Sequence, residues 1–256
     1  MINLFKGVIY LKTLIYAHRG ASKYAPENTM PAFNLAYKQK ADGIETDVQL
    51  TKDNVPVLIH DEMVNRTTNG KGFVHDYTYE QLRELDAGLS FHYRFIGTRI
   101  PTLDDLLKWN QKKRLRLNIE LKNSKLSSNS LEEIVIKKIK AFNMENLCII
   151  STFSMNSIKN LYELNSPIPY AFLTSKNIPG FIEKSKELRA SGIHIRYRLL
   201  NRRLFRSAKN NNLYIAVYTL NHPVTLTRAF QFPCDAVITD VPDIAVRYRN
   251  RVQQED

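Results

Sequence analysis

The stretch that decides the fold is residues 115–122, LRLNIELK, in which apolar and polar residues alternate strictly. One face of such a strand is apolar and carries Leu115, Leu117, Ile119 and Leu121. The other face is polar and carries Arg116, Asn118, Glu120 and Lys122. If the apolar face packs on helices, the charged face points into the interior of a sheet that closes on itself. Because buried charges are costly unless they are paired or bound to a ligand, this strand indicates either an internal salt-bridge network or a site.

Short apolar stretches recur along the whole chain, and helical patterns lie between them. Candidate strands lie at 13–18, 43–50, 115–122, 147–153, 168–174, 192–197, 213–220 and 235–240. Candidate helices lie at 29–40, 101–112, 130–142, 155–165, 179–190, 201–210 and 223–231. Strands that alternate with helices over about 250 residues predict an α/β fold, a (β/α)8 TIM barrel. A doubly wound open sheet is the alternative, but the chain has no G-x-G-x-x-G turn.

One region interrupts this alternation. Asp53 and Asn54 predict a turn that sends the chain back through residues 55–60 as a hairpin arm. Residues 61–100 then contain several glycines and one short helical stretch near 78–85. We therefore expect a single domain over residues 1–256, with a small insertion after the second strand region, at about 61–100, on the rim of the barrel.

The composition is that of a folded globular protein, with 43% hydrophobic residues in 256. Both cysteines, Cys148 and Cys234, lie in or beside apolar stretches, so we expect no disulfide framework and a reducing compartment. The first twenty residues are apolar but contain Lys6 and Lys12 and lack a small-residue cleavage site. No apolar run is long enough for a membrane span, and a cytoplasmic protein is expected.

The net charge of +12 favours anionic partners such as phosphates, lipid headgroups or nucleic acid. The basic stretch 195–209 and the basic tail 247–251 are typical of solvated helix faces. No recognisable nucleic-acid module is present, so we expect no nucleic-acid partner. We also expect a weak contact of the basic surface with an anionic membrane or polymer. The protein is expected to be a monomer or a dimer.

The chemistry concentrates in the candidate strands and at their ends. Glu45 and Asp47 lie two residues apart and so share one face of the second strand, where a divalent cation would keep both ionised. With Glu120 they form an all-oxygen set that suits Mg²⁺ or Ca²⁺ rather than zinc. His18 ends the first strand and His60 ends the hairpin arm, so both belong at the mouth of the barrel, where imidazoles can exchange protons.

Six motifs together resemble the glycerophosphodiester phosphodiesterase family, across residues 14 to about 243. They are HRG (18–20), PENT (26–29), IETDVQLTKDNVPVLIHD (44–61), IELK (119–122), VYTLN (217–221) and DAVITDVPD (235–243). The resemblance implies a (β/α)8 barrel with a family insertion after the second strand region. It also relates the family to barrel phospholipases that act on phosphatidylinositol.

The resemblance implies a role for each matching residue. Glu45, Asp47 and Glu120 look like the metal ligands, and His18 and His60 look like the catalytic acid/base pair. Arg19 and Lys122 look like substrate contacts at the phosphate, and PENT looks like the helix start that holds the site, with Asn28 or Thr29 as a cap. Phe153 and Tyr218 are expected to line the substrate pocket. The family usually has Trp at the position of Tyr218, so the substrate preference is open there.

The function that this resemblance implies is metal-dependent hydrolysis of glycerophosphodiesters to sn-glycerol 3-phosphate and an alcohol, in lipid and glycerol metabolism. One alternative is a lysophospholipase D or an enzyme directed at teichoic acid, with the same centre acting on a bulkier substrate. An alternative of another class is a catalytically silent barrel that only binds phosphate. Loss of a metal ligand or a histidine would favour the silent barrel, and none is lost.

Overall fold

The computed structural model describes residues 3–5, 8–10, 12–122, 130–232 and 234–253. The strands are β1 (Asn3–Phe5), β2 (Val8–Tyr10), β3 (Leu14–His18), β4 (Gly43–Leu50), β5 (Pro56–Leu58), β6 (Arg116–Leu121), β7 (Cys148–Thr152), β8 (Tyr170–Thr174), β9 (Gly192–Arg196), β10 (Tyr214–Tyr218) and β11 (Ala236–Thr239). The α-helices are α1 (Met30–Lys38), α2 (Tyr79–Leu82), α3 (Leu103–Lys113), α4 (Leu131–Ala141), α5 (Met155–Glu163), α6 (Phe181–Glu187), α7 (Arg202–Asn210), α8 (Pro223–Gln231) and α9 (Pro242–Val252).

Eight parallel strands close into a barrel in the order β3, β4, β6, β7, β8, β9, β10 and β11, and β11 pairs again with β3. Helices connect the strands, which makes the fold a (β/α)8 TIM barrel and confirms the fold class predicted from the sequence. The predicted strands all occur, and α9 is an additional helix after the last strand. Among the described residues, no helix has the length and apolarity that crossing a membrane requires.

The alternation in β6 has the expected consequence. Leu117 and Ile119 are fully buried in the large apolar cluster between the barrel and its helices, whereas Asn118 and Glu120 belong to the polar set inside the barrel. The same period-two rule places Glu45 and Asp47 of β4 on the inner side. Apolar burial outside the barrel therefore positions the polar interior.

The base of the barrel is filled by two tyrosine rings. A Cβ at Gly192 would lie 2.2 Å from the ring of Tyr214, and a Cβ at Gly43 would lie 2.6 Å from the ring of Tyr16. Glycine is therefore required at both strand starts so that the rings fit inside. Because this end is closed, the interior opens at the opposite end, where the strands have their C-terminal ends; we call that end the mouth.

The hairpin arm predicted at 55–60 is the short strand β5, which pairs antiparallel with the end of β4. Asn54 has a positive φ of 59° in the turn before it. The chain between β5 and α3 then forms three 3-10 turns and α2, over a small apolar cluster of its own. We call this connection, residues 59–102, the rim segment. It leaves and re-enters the barrel at the mouth, since Leu58 donates its backbone N–H to Pro101 and Val57 forms a β-bridge with Thr102.

A buried arginine ties α9 to the barrel. The guanidinium of Arg249, a residue with only 5% exposure, donates to the carboxylate of Asp42 and to the carbonyl oxygen of Thr13, 3.0 Å away. Asp42 also accepts from the backbone N–H of Ile15 at 2.7 Å, so one carboxylate joins α9, β3 and the start of β4.

We expect Arg249→Ala to destabilise the fold by about 3 kcal/mol, because it leaves the buried side of Asp42 without its cation. Urea unfolding followed by circular dichroism measures this change. Arg247→Ala, at an exposed position of the same helix, is the matched control and should leave the unfolding midpoint unchanged. Equal unfolding midpoints for the two variants would show that the ion pair of Arg249 with Asp42 contributes nothing to the stability of the fold.

Candidate functional site

Strand register assembles the acidic cluster at the mouth. In β3 and β4, His18 lies beside Glu45; in β4 and β6, Glu45 lies beside Asn118 and Asp47 lies beside Glu120. The three carboxylates predicted as metal ligands therefore lie on two adjacent strands, side by side and facing inward. This arrangement follows from period-two alternation once the strands pair in this order.

The three carboxylates form a compact acidic triad. Glu45, Asp47 and Glu120 are all buried, and each contributes an oxygen within 4.8 Å of those of the others. Burial, together with the charge of Asp47, raises the pKa of Glu45 to about 8 and also raises the pKa of Glu120. Burial acts on Asp47 in the same direction, but Arg19 and Lys122 hold the pKa of Asp47 below its ordinary value. Burial and mutual repulsion therefore oppose full ionisation of the three carboxylates.

This donor set fits a divalent cation. It offers only carboxylate oxygens, which are hard ligands of the kind that Mg²⁺ and Ca²⁺ bind. The raised pKa values of Glu45 and Glu120 point the same way, because a bound cation would favour the ionised form of both groups. Within the part of the chain that the structure describes, this triad is the group of acidic, histidine or cysteine side chains that could hold a metal ion.

The two cations predicted at the phosphate lie against the triad. Nε of Arg19 is 3.2 Å from Oδ2 of Asp47, and the backbone N–H of Arg19 donates to Oε2 of Glu45 at 3.0 Å. Nζ of Lys122 donates to Oε1 of Glu120 at 3.0 Å and lies 3.7 Å from Oδ1 of Asp47. The structure thus brings both cations to the cluster, while their contact with a phosphate stays a prediction.

His18 forms a hydrogen bond with a carboxylate that follows the last barrel strand. Its Nδ1 lies 2.5 Å from Oδ1 of Asp240, and its Nε2 lies 4.0 Å from Oε2 of Glu45. Ser22 donates to Oδ1 of Asp240 at 3.1 Å, and the side-chain amide of Asn221 donates to the other carboxylate oxygen. Burial alone would lower the pKa of His18, but the hydrogen bond to Asp240 raises it above the ordinary value.

His60 has an equivalent carboxylate partner next to it in the sequence. Its Nδ1 lies 2.6 Å from Oδ1 of Asp61, and Arg66 donates to the other oxygen of Asp61 at 2.6 Å. Burial lowers the pKa of His60, and the nearby cations Arg19 and Lys122 add to this effect. Both histidines are therefore fixed through Nδ1, which leaves Nε2 of each available at the site.

The backbone that carries His60 is held by a buried glutamine. The side-chain amide nitrogen of Gln49 in β4 donates to the carbonyl oxygens of Ile59, His60 and Asp61, at 3.0, 3.2 and 2.7 Å. Gln49 is 7% exposed and comes two residues after Asp47 on the same inner face. One strand therefore positions two triad carboxylates and the second histidine.

The PENT motif supports the site differently from the prediction. Thr29 occupies the N-cap position of α1, but its side chain makes no capping hydrogen bond and donates instead to the carbonyl oxygen of Pro26 at 2.5 Å. Asn28 does not cap the helix either. It has a positive φ of 55°, donates to Oδ2 of Asp47 at 2.9 Å and accepts from Thr46 at 2.7 Å. Thr29 is therefore the N-cap residue by position but not through a side-chain hydrogen bond, and Asn28 does not cap the helix because its amide contacts Asp47 of the acidic triad.

Glu27 of the same motif links the two sides of the mouth. It accepts from Arg19 at 2.8 Å and from Arg66 at 2.7 and 2.8 Å. Arg66 also holds Asp61, so a chain of ion pairs runs from the HRG loop to the rim segment and to His60. The PENT motif was expected to hold the site, but the sequence predicts neither the partners of Glu27 nor a role for Arg66.

The two aromatic residues predicted to line the pocket meet at the mouth. The rings of Phe153 and Tyr218 lie edge to face, with centroids 6.2 Å apart. Phe153 is 40% exposed, whereas the hydroxyl of Tyr218 is buried and has no hydrogen-bond partner among the described residues. Burial raises the pKa of Tyr218, so this hydroxyl stays protonated and can donate a hydrogen bond.

The main residues missed from the sequence are Asp240, Asp61, Gln49 and Glu27. Asp240 and Asp61 each had a readable signal, since both are carboxylates placed directly at the end of a strand or hairpin arm, at the mouth. Gln49 could have been inferred from its inward position in β4. The partner of Glu27 depends on the path of the rim segment, and no periodicity in the sequence reveals that path.

Comparison with known proteins identifies relatives with the same architecture. Residues 18–244 match the model of the glycerophosphoryl diester phosphodiesterase family. A glycerophosphodiester phosphodiesterase of Caldanaerobacter subterraneus subsp. tengcongensis is 38% identical over 236 residues, which cover 92% of this chain and 97% of the relative.

Two solved structures are also similar. One is an Oleispira antarctica phosphodiesterase in complex with the product sn-glycerol-3-phosphate, with a TM-score of 0.84 and 25% identity, covering 92% of this chain and 96% of that one. The other is a glycerophosphodiester phosphodiesterase from Agrobacterium tumefaciens str. C58, with a TM-score of 0.81 and 28% identity, covering 92% of this chain and 99% of that one.

Proposed function

This chain belongs to the glycerophosphoryl diester phosphodiesterase family, and on that premise we propose that it hydrolyses glycerophosphodiesters to sn-glycerol 3-phosphate and an alcohol, with a divalent cation and two histidines. The observation that carries the proposal is the acidic triad at the mouth of the barrel, where Nε2 of His18 lies 4.0 Å from Oε2 of Glu45 and the charges of His60 and Asp47 act on each other. The product bound to the Oleispira antarctica phosphodiesterase supports the choice of sn-glycerol 3-phosphate as the product here.

A phosphodiester is an anion that resists attack, so its hydrolysis requires positive charge at the phosphoryl oxygens and two proton transfers. Arg19 and Lys122 supply fixed positive charge beside the triad. Mg²⁺ or Ca²⁺, held by Glu45, Asp47 and Glu120, would add further charge neutralisation at the phosphate. Because Arg19 and Lys122 lie against the triad, a substrate phosphate bound at the triad would lie next to both cations.

The two histidines divide the proton transfers. One takes a proton from the attacking hydroxyl and the other gives a proton to the leaving alkoxide. If water attacks, sn-glycerol 3-phosphate forms directly. If the 2-hydroxyl of the substrate glycerol attacks, a cyclic glycerol phosphate forms, and a water activated by the histidine that served as the acid then opens it to sn-glycerol 3-phosphate. Nε2 is the reacting nitrogen of each, because Nδ1 of His18 and Nδ1 of His60 are bonded to Asp240 and Asp61. These carboxylates fix the orientation of each ring, and they stabilise the imidazolium when it forms.

The test of the proposed function is turnover of a small panel of soluble substrates. Purified protein with Mg²⁺ or Ca²⁺ should release the alcohol from glycerophosphocholine and glycerophosphoglycerol, and it should release no phosphate from glycerol 3-phosphate. Release of inorganic phosphate from the monoester without cleavage of either diester would contradict a phosphodiesterase. Phosphate binding without turnover of any compound would favour the catalytically silent barrel.

Glu120→Gln should lower affinity for the divalent cation by at least about tenfold while the protein stays folded. The metal-free fold should tolerate the change, because burial already favours the neutral form of Glu120, and the amide keeps its shape. Isothermal titration with Mg²⁺ and with Ca²⁺ measures the affinity, and thermal melting of the metal-free variant measures its stability. A large fall in melting temperature with unchanged affinity would identify the Glu120–Lys122 pair as purely structural.

A further inference from the structure

The large apolar side chains that remain exposed are gathered at one end of the barrel. Twelve such side chains are more than a third exposed in the described part of the chain. Tyr37 and Leu164 lie at the ends of α1 and α5, away from the mouth. The other ten lie in connections that run from the C-terminal end of a barrel strand to the helix outside the barrel that follows it, or in the first turn of that helix, so they lie at the mouth.

Six of these ten side chains belong to the rim segment, namely Met63, Phe73, Leu89, Phe91, Tyr93 and Ile96. The remaining four come from four different loops around the mouth, namely Tyr24, Phe153, Ile178 and Val224. Single exposed apolar residues are ordinary, but a group of them at one end of a molecule indicates an interaction surface.

The most apolar part of the rim segment is a closed loop, residues 86–98, which we call the apolar loop. Asp86 accepts from the backbone N–H groups of Gly88, Leu89 and Gly97 at 2.8, 2.9 and 2.6 Å. The backbone N–H of Ala87 donates to the carbonyl oxygen of Thr98 at 2.8 Å, which closes the base of the loop.

The apolar loop holds its side chains outward on a defined backbone. A Cβ at Gly88 would lie 1.8 Å from the carbonyl oxygen of Phe95, so the two sides of the loop are in close contact. Tyr93 is 65% exposed and Ile96 is 61% exposed. The base of the loop adjoins the site, since Ala87 lines the same cavity as His60.

A basic surface lies across the mouth from this loop. The barrel order places β4 and β9 four strands apart in either direction, which is the opposite side of an eight-stranded barrel. The chain between Glu187 and Asp235 contains no acidic residue. Within it, Arg198 follows β9, and Arg202 and Arg203 lie in the first turn of α7, where all three are exposed. We call these three residues the arginine patch, and none of them forms an ion pair with another described residue.

We propose that the mouth of this protein docks onto an anionic phospholipid bilayer, through the apolar loop on one side and the arginine patch on the other. Aromatic and aliphatic side chains enter the interface between headgroups and acyl chains, while arginines bind anionic headgroups. A dissolved polyanion would use the arginine patch but would leave the apolar loop in water. The docking goes beyond the proposed phosphodiesterase function, and it is measured without turnover.

The test is sedimentation with vesicles of phosphatidylcholine, alone or with about a third of phosphatidylglycerol, a composition that gives the bilayer a negative surface. Wild-type protein should sediment with the anionic vesicles, and added salt should weaken the binding. Substituting the arginine patch with glutamine should lower the partition coefficient on the order of 100-fold, since each arginine near an anionic surface contributes roughly fivefold. Tyr93→Ser combined with Ile96→Ser should lower it at least about tenfold.

Matched controls remove the same chemistry from the far end of the barrel. Lys112, Lys140 and Lys186 are exposed in the last turns of α3, α4 and α6, and replacing them with glutamine removes the same charge as the arginine variant. Leu164→Ser removes an exposed apolar side chain from that end. Neither control should change vesicle binding by more than about twofold, and all variants should hydrolyse soluble glycerophosphocholine at the wild-type rate.

The outcomes separate docking from catalysis. Vesicle binding that depends on both the apolar loop and the arginine patch supports the proposal, and it does so even if no diester is hydrolysed. Absence of wild-type protein from the vesicle pellet at low salt would overturn it, whatever the activity on soluble diesters. Loss of binding to dissolved poly(glycerol phosphate) in the arginine variant, with no binding of any protein to vesicles, would assign the patch to a polymer and would also overturn it.

Discussion

Replacing His18 or His60 with alanine should lower kcat on glycerophosphocholine by about 10² to 10⁴, the range for removal of one positioned proton-transfer group. The structure explains why each should matter: both imidazoles are fixed through Nδ1 by a carboxylate at the edge of the acidic triad. KM should change little, because Arg19 and Lys122, the proposed phosphate contacts, remain in place. His75, which is exposed on the rim segment, provides the matched control, and His75→Ala should keep wild-type kcat.

The double variant and a second substrate strengthen this test. The fold-decrease in kcat of the double variant should be much smaller than the product of the fold-decreases of the two single variants, since the effects of residues that act as one unit are strongly non-additive. A nitrophenyl phosphodiester has a leaving group that needs no protonation, so it should restore turnover in the variant that lacks the general acid and not in the other. Equal rescue of both variants, or wild-type turnover of either on the natural ester, would refute the acid/base pair.

Removing divalent cations should abolish turnover, and adding Mg²⁺ or Ca²⁺ should restore it. The reason is electrostatic: Glu45, Asp47 and Glu120 lie within 4.8 Å of one another in a buried site, and their combined charge needs a cation in addition to Arg19 and Lys122. A cation that binds only the folded chain also raises its melting temperature, which gives a readout that does not depend on catalysis.

The control for cation removal is the variant Glu120→Gln, whose melting temperature should respond much less to added Mg²⁺ or Ca²⁺ than that of the wild type. Full turnover by wild-type protein in excess chelator, with absence of metal verified by elemental analysis, would exclude a role for the triad as a metal site. An unchanged melting temperature in saturating cation would lead to the same conclusion by an independent route.

Much of the fold could be predicted because the barrel strands carry strong periodic signals. Over residues 115–122, which include β6, four apolar residues alternate with four polar ones. A β-strand is the regular structure that places the apolar residues of such a pattern on one face and the polar residues on the other. The same signal placed Glu45 and Asp47 inside the barrel, where the structure has them. Strand pairing then brings Asp47 beside Glu120 without further information.

The contacts that orient the site could not be predicted in the same way. Asp240 reaches His18 only because β11 closes the barrel against β3, 222 residues away in the sequence. Asn28 reaches Asp47 because its positive φ turns the loop inward, whereas sequence statistics for an Asn before a helix favour a cap. Such contacts depend on chain closure and on loop geometry, which local patterns do not record.

The rim segment shows the same limit. Its glycines and its short helix near 78–85 are visible in the sequence, and the structure has α2 at Tyr79–Leu82. Nothing local predicts that Arg66 bridges Asp61 and Glu27, or that Asp86 closes the apolar loop. Loops of this kind are determined by specific hydrogen bonds rather than by a hydrophobic period, so their function has to be inferred from coordinates.

The most direct test of the central claim is to identify the products that purified protein forms from glycerophosphocholine in the presence of Mg²⁺ or Ca²⁺, by phosphorus NMR. We expect the diester signal to be replaced by that of sn-glycerol 3-phosphate, with an equal amount of free choline, and we expect the variant lacking both His18 and His60 to leave the diester intact. Formation of phosphocholine and glycerol, or an unchanged diester with metal-loaded wild-type protein, would contradict it.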